Sequence, residues 1–440
     1  MSTPHALNAS TTADAEELDR ILRDRLITSL YQPIIDLASR DTVGYEALAR
    51  GPKGSPLEFP DRLFATARET GRIIELDWEC RGAAARGALE FGLLPPLQLF
   101  VNIEPEAAFV PPPEHLRPLM REVADKLRVV CEFTERRLID RPADLLAAAR
   151  LSRKSGMSVA LDDVGVDTNA LALLAYLRPE IIKLDLTMMQ SELTPEIATT
   201  LHAVSGWTEK TETVVVAEGI ETDEHLFRAR AMGAHMAQGW KYGKPAPPTD
   251  FVPSDTARPT TMAMPSEFDA ETELSPFELI SQRREVCVAS RRMLVSLMRR
   301  IEQVADVAGP TGILIGSCQN FDRIDDATRQ HYRALARSMA MVGVIGAGAP
   351  DESFSGIRTS VLDADDRLTN EWIVCVVSAS HGAAVIARDL GDDGPELDRR
   401  YSFCMTHNQE LATAATRQLI ERMMPISDHP PAAAPLRLAT

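Results

Sequence analysis

None of the six cysteines (Cys80, Cys131, Cys287, Cys318, Cys375 and Cys404) lies in a CxxC pair. That absence argues against a cysteine zinc site and against a disulfide framework, and it implies reduced thiols. Positive charge is also short: 47 Lys and Arg stand against 64 Asp and Glu, a net charge of -17. Such a surface repels bulk nucleic acid and anionic membranes. A small anionic ligand would therefore need local cations or metal ions. The start, "MSTPHALNASTTADAEELDR", has no basic segment running into an apolar one, and no later apolar run is long enough to cross a bilayer. These features predict a cytoplasmic chain with no signal peptide and no membrane insertion.

What is present reads as two domains. Residues 1–12 are small and polar and read as loose, with a helix opening near Asp14, so that 1–19 forms a flexible N-terminal segment. From there β-prone runs at 27–35, 42–49, 97–103, 127–134, 157–163, 180–185, 213–218 and 232–238 are mostly separated by Ala/Leu/Arg-rich helical segments. Repeated βα units of this count predict a closed parallel (β/α)8 TIM-like barrel over 20–247. Residues 248–274 are rich in Pro, Thr and acids without periodicity and read as a linker. A smaller mixed α/β domain follows over 275–425. It opens on one amphipathic helical stretch, and its strands fall at 312–318, 340–346, 357–362, 371–378, 383–388 and 401–406. The Pro/Ala-rich tail 426–440 reads as loose.

The barrel strands end on polar residues. Glu46, Asn102, Glu132, Asp162 with Asp163, Lys183, Glu218 and Gln238 each sit near the C-terminal end of a different run. In a barrel those ends converge on one mouth. The set is all carboxylate, amide and amine, with no histidine or thiol. It suits two Mg²⁺ or Mn²⁺ ions better than Zn²⁺. Adjacent Asp162 and Asp163 suit a two-metal site in which one carboxylate bridges, a common device for phosphodiester cleavage. Taken singly, Glu46, Lys183 and Asn102 could each be an ordinary surface or turn residue; together they point to a site.

Seven stretches in order resemble one family. "YEALAR" (45–50), "VNIEP" (101–105), "CEFTE" (131–135), "LDDVG" (161–165), "IKLD" (182–185), "AEGIET" (217–222) and "QGWKYGKP" (238–245) are similar to the EAL domain family of bacterial cyclic di-GMP phosphodiesterases. The resemblance implies a metal-dependent enzyme that opens cyclic di-GMP to linear pGpG, with a homodimer as the implied assembly. It makes Glu46, Asn102, Glu132, Asp162 and Asp163 the ligands of two Mg²⁺ or Mn²⁺ ions. Lys183, Glu218 and Asp163 form its catalytic set, Lys183 contacting the attacking water. The resemblance also implies that Arg50 binds a substrate phosphate, with Gln238 and Asp185 beside the substrate, and that Glu135 and Glu221 support loops.

One departure stands out. Active members usually continue "DDFGTGYSSL", where this chain has "DDVGVDTNAL" at 162–171, with Asp167 an added acid near the cup. That change raises a second reading, a cyclic di-GMP receptor with weak or no turnover. The C-terminal domain resembles the DICT family of sensory modules through "SPFELISQRR" and "IGSCQNF". The resemblance implies a signal or protein partner for this domain.

Overall fold

The computed structural model describes residues 4–134, 141–248, 251, 274–350, 354–393 and 395–423. They form two compact units: the described residues up to 134 and from 144 to 251 make the first, and those from 274 onward, together with 141–143, make the second. Most of 248–274 and the tail 426–440 lie outside the described residues.

The first unit is a closed eight-stranded barrel. Its strands are β1 (Thr28–Asp36), β2 (Thr42–Arg50), β3 (Gln98–Asn102), β4 (Arg128–Thr134), β5 (Ser158–Val164), β6 (Ile181–Leu184), β7 (Val214–Ala217) and β8 (Met236–Gln238). The expectation of an all-parallel barrel needs one correction. Strands β2 to β8 pair in parallel, but β1 runs antiparallel to both β2 and β8. The connection explains it: only residues 37–41 join β1 to β2, too few for a parallel crossover. Asp36 builds that turn by accepting hydrogen bonds from the amides of Ala38 and Ser39, and Arg40 closes it at φ 67°.

The expected loose start is also corrected. A helix runs from Pro4 to Arg23. It buries Leu18, Ile21 and Leu22 against Leu57, Leu63 and Leu76, and Asp14 accepts two hydrogen bonds from the Arg62 guanidinium. The apolar spacing 18, 21, 22 is one helical face, so the segment belongs to the barrel unit well before residue 20.

Inside the barrel, one buried residue from each strand forms a single layer: Ile34, Val43, Phe100, Val130, Ala160, Ile181, Val216 and Met236. This layer is the floor beneath the mouth. Phe100 is its largest member and is fully buried.

The second unit carries a seven-stranded mixed sheet. Its strands are β9 (Cys287–Ser290), β10 (Gly312–Cys318), β11 (Met341–Gly346), β12 (Arg358–Val361), β13 (Glu371–Ser378), β14 (Gly382–Asp389) and β15 (Arg400–Thr406). The order across the sheet is β12-β11-β10-β13-β14-β15-β9. Side-chain alternation along β13 serves two layers. Val374 and Val376 join a core with Leu294, Met298 and Ile301 of the helix Arg291–Ala308. Cys375 between them meets Thr416 of the helix Gln409–Ile420.

The single helical stretch expected at the start of this unit is instead a short helix, Pro276–Ser281, then β9, then Arg291–Ala308. Ser275 and Glu278 form a capping box on the first helix, and Ser290 caps the second. The chain between the caps pairs with β15 as an edge strand. Periodicity missed it because a four-residue edge strand leaves almost no pattern of its own.

Truncating the floor of the barrel tests this packing. Phe100→Ala removes a fully buried ring from an apolar layer to which all eight strands contribute. It is expected to cost the barrel about 3–5 kcal/mol in denaturant unfolding, read as an earlier barrel transition with the C-terminal transition unchanged.

Candidate active site

The floor layer sets the positions of the groups above it. Strand side chains repeat with a period of two. Two residues past Phe100, Val130, Ala160, Ile181, Val216 and Met236 stand Asn102, Glu132, Asp162, Lys183, Glu218 and Gln238. On antiparallel β1 the equivalent residue lies two before Ile34, which is Gln32. On β2 the offset is three, from Val43 to Glu46, because the β1–β2 register shifts at Ile34/Ile35 and leaves Val43 outside the ladder. Each of the eight strands thus places one polar side chain in one ring.

Lys183 is the centre of that ring and is fully buried. Its Nζ lies 2.7 Å from Glu218, 2.8 Å from Glu132, 3.0 Å from Asp162 and 3.4 Å from Glu46. Asn102 Nδ2 donates to both Glu46 and Glu132, at 3.2 Å each. Gln238 Nε2 donates to Glu46 Oε2 at 2.6 Å and to Gln32 Oε1 at 3.1 Å. Gln32 in turn donates to the Gly243 carbonyl.

Two adjacent residues on a regular strand point to opposite faces, so Asp162 and Asp163 should not share a site. The β5–β6 register breaks between Leu161 and Val164, and Asp163 adopts φ 58°. This bulge re-aims the second carboxylate. Carboxylate oxygens of Asp162, Asp163 and Glu218 consequently lie within 4.8 Å of one another, as do those of Glu46, Glu132 and Asp162. The turn after the pair is tight: Gly165 has φ 117°, and a Cβ there would stand 2.4 Å from Met188 Sδ. Only glycine fits.

The electrostatics are severe. Burial pushes the Glu132 carboxyl well above its ordinary range, with Glu46 and Asp162 adding to the rise and Lys183 opposing it. Burial likewise raises Asp162, and it raises Glu218 to about 8. Burial alone would lower Lys183, but Asp162, Glu132, Glu218 and Glu46 outweigh it and hold the ammonium charged far above its usual value.

The donor chemistry fits divalent cations. Five carboxylates face one lysine, and the surplus equals the charge of two such ions. Glu132 Oε1 and Asp162 Oδ1 sit at ion-pair distance from Lys183 yet make no aligned hydrogen bond, and the buried Gln238 Oε1 also has none. Unsaturated buried oxygens of this kind are costly without a further partner. Glu46, Glu132 and Asp162 could hold one ion, and Asp162, Asp163 and Glu218 a second, with Asp162 common to both. An all-oxygen set is that of Mg²⁺, Mn²⁺ or Ca²⁺.

Other expected residues lie outside the ring. Arg50 ends β2 at the rim, where Nη1 donates to the Ala49 carbonyl. Asp185 turns its carboxylate to the Thr187 amide at 2.8 Å and caps the helix Leu186–Gln190. Glu221 is exposed, and its amide faces His225. Asp167 accepts from the Asn169 amide and caps the turn Thr168–Leu173. Glu135 lies outside the described residues. Gln32 was missed by reading strand C-terminal ends, because its strand runs the other way. A support was also missed: Glu104, two residues past Asn102, pairs with Arg68, while its amide donates to buried Asp77 at 2.9 Å.

Comparison with known proteins finds a family match for each of the two units. The EAL domain family matches residues 15–245, and the family described as "Sensory domain in DIguanylate Cyclases and Two-component system" (DICT) matches 276–390. The probable cyclic di-GMP phosphodiesterase PdeB of Escherichia coli (strain K12) is 31% identical over 253 residues, covering 53% of this chain and 46% of its own length. The cyclic di-GMP phosphodiesterase RocR of Pseudomonas aeruginosa is 28% identical over 255 residues, covering 57% of this chain and 65% of its own. The Klebsiella pneumoniae BlrP1 calcium/cy-diGMP complex at pH 8.0 aligns at TM-score 0.45 and 26% identity, over 50% of this chain and 56% of that one. The chain thus spans less than two thirds of each of these proteins. Among the described residues no helix is long and apolar enough to cross a membrane.

The ring predicts its own response to cations. Mg²⁺ should raise the melting temperature of the full chain, and Glu132→Gln should remove most of that rise. The carboxyls with raised values hold protons that a cation must displace. Mg²⁺ affinity measured by calorimetry should therefore increase as pH climbs through about 8, where Glu218 ionises. An affinity flat across that range would contradict the arrangement.

Proposed function

This chain belongs to the EAL domain family, and we propose that it hydrolyses cyclic di-GMP to linear pGpG in the barrel mouth. The observation that carries this reading is the ring itself: eight strands each supply one polar group, and the two carboxylate triads share Asp162. Two divalent cations, Mg²⁺ or Mn²⁺, when bound, would supply an activated water and steady the leaving oxygen.

The chain's own residues divide the remaining work. Glu46, Asn102, Glu132, Asp162 and Asp163 hold the cations. Lys183 stays an ammonium among its carboxylates, so it orients water and offsets negative charge; it does not take the proton. Glu218, raised to about 8 by burial when no cation is bound, gives up its proton as a cation binds and completes the triad with Asp162 and Asp163. Arg50, at the end of the strand that carries Glu46, is assigned the substrate phosphate through the family resemblance. Gln238 fixes Glu46 and so acts on substrate through it. The DICT unit regulates the barrel in response to a signal, and the family resemblance extends the reading to a homodimer. Six free cysteines suit a cytoplasmic setting.

Incubating the full chain with cyclic di-GMP and Mg²⁺ or Mn²⁺, and following pGpG by chromatography, tests this. The expected outcome is product formation, with Glu46→Gln slower by about 100-fold or more. No product, or a variant equal to the parent, would overturn it; micromolar binding without turnover would favour the receptor reading instead.

A further inference from the structure

The second unit holds a cleft between its main helix and the sheet. The helix Arg291–Ala308, β10, β13 and the helix Asp326–Leu335 wall it, and it encloses about 100 Å³. The floor is Gly316, in the middle of β10, paired with strands on both sides. A glycine inside a strand costs roughly 0.5–1 kcal/mol against alanine, so its presence needs a reason. Conformation does not supply one, because Gly316 is not among the residues with positive φ. Packing does not supply one either. A Cβ there would stand 3.4 Å from Tyr332 Oη and 3.5 Å from the Ile373 carbonyl, which is ordinary contact. What the missing side chain leaves is the space of the cleft, and a glycine within a strand often marks the close approach of a ligand.

The lining describes that ligand. Trp372 and Tyr401, with ring centroids 6.0 Å apart, form an aromatic wall. At the inner end Tyr332 Oη donates to buried Glu302 at 2.8 Å, which leaves the phenol and carboxyl oxygens as acceptors for a ligand donor. Arg299 also lines the cleft. Its side chain is 57% exposed, and its ion pair with Asp325 is long, 3.6 Å, so its guanidinium retains donors toward the cleft. Cys318 in the lining is buried and its thiol pushed up to about 12, so it stays protonated and inert.

We propose that this cleft binds a small single-ring aromatic carboxylate bearing a hydroxyl or amino group opposite the acid. The ring packs against the edge-on pair Trp372 and Tyr401, the donor meets the Glu302–Tyr332 pair, and the carboxylate meets Arg299. The volume limits the size: about 100 Å³ is less than the roughly 150 Å³ of a cavity that encloses a whole benzene ring, so at most one ring enters, and its carboxylate stays at the open mouth beside the exposed Arg299. The assignment does not depend on nucleotide hydrolysis in the barrel.

Calorimetry on the full chain with 4-hydroxybenzoate, and with benzylamine as a cation of the same ring, tests it. The acid is expected to bind at millimolar concentration or better, and the amine about tenfold or more weaker. Gly316→Val fills the floor and should abolish binding while the melting temperature is kept. Arg299→Gln, at an exposed position that leaves folding intact, should weaken the acid several-fold. No heat from 4-hydroxybenzoate at millimolar concentration would overturn the proposal. So would equal binding of acid and amine, or undiminished binding by folded Gly316→Val and Arg299→Gln.

Discussion

A buried ammonium among carboxylates organises the barrel. Lys183 is fully enclosed and touches four acids from four strands. Removing charged groups from water costs several kcal/mol each unless partners compensate, and one lysine cannot compensate five carboxylates. The arrangement is therefore poor as a stability device and sensible as a site prepared for further positive charge. The amide donors of Asn102 and Gln238 serve the same end, because they hold the acids in place without consuming charge.

The layer below makes this crowd possible. Eight apolar residues, one per strand, fill the barrel and set a common height from which the next inward position on every strand opens into the mouth. Two irregularities complete the ring. The register shift beside Val43 brings Glu46 into line, and the bulge at Asp163 turns a second carboxylate toward the first. Without the bulge, strand pleating would send Asp163 away from Asp162. Gly165 lets the chain leave the bulge under Met188. The departure from the family loop begins at Val164, the residue that closes the bulge by pairing with Leu184, and its added acid, Asp167, is spent on capping the next turn.

The second unit repeats the theme in another chemistry. A mixed sheet between two helices buries its core on both faces, yet β10 gives up a side chain at Gly316 where nothing in backbone or packing requires it. The space lies beside a buried carboxyl–phenol pair rather than in plain hydrocarbon.

Much of this was legible in the order of residues. The count of βα repeats, the polar residues at strand ends and the all-oxygen donor set depend only on local periodicity and side-chain chemistry, so Glu46, Asn102, Glu132, Asp162, Lys183, Glu218 and Gln238 could be named before any coordinates. Gln32 could not. Its place in the ring follows from the direction of β1, which a hairpin of residues 37–41 reverses and which only pairing with β8 brings beside Gln238. The edge strand β9 escaped notice because its identity lies in its pairing with β15 rather than in its own four residues. Asp185, Asp167 and Arg50 looked alike as polar residues beside the mouth; the fold turned two into helix caps and left the third at the rim. Sequence alone determined which chemical groups were available and on which strands. Tertiary structure decided which of them meet, because register, strand direction and one bulge are properties of paired strands and not of any single segment.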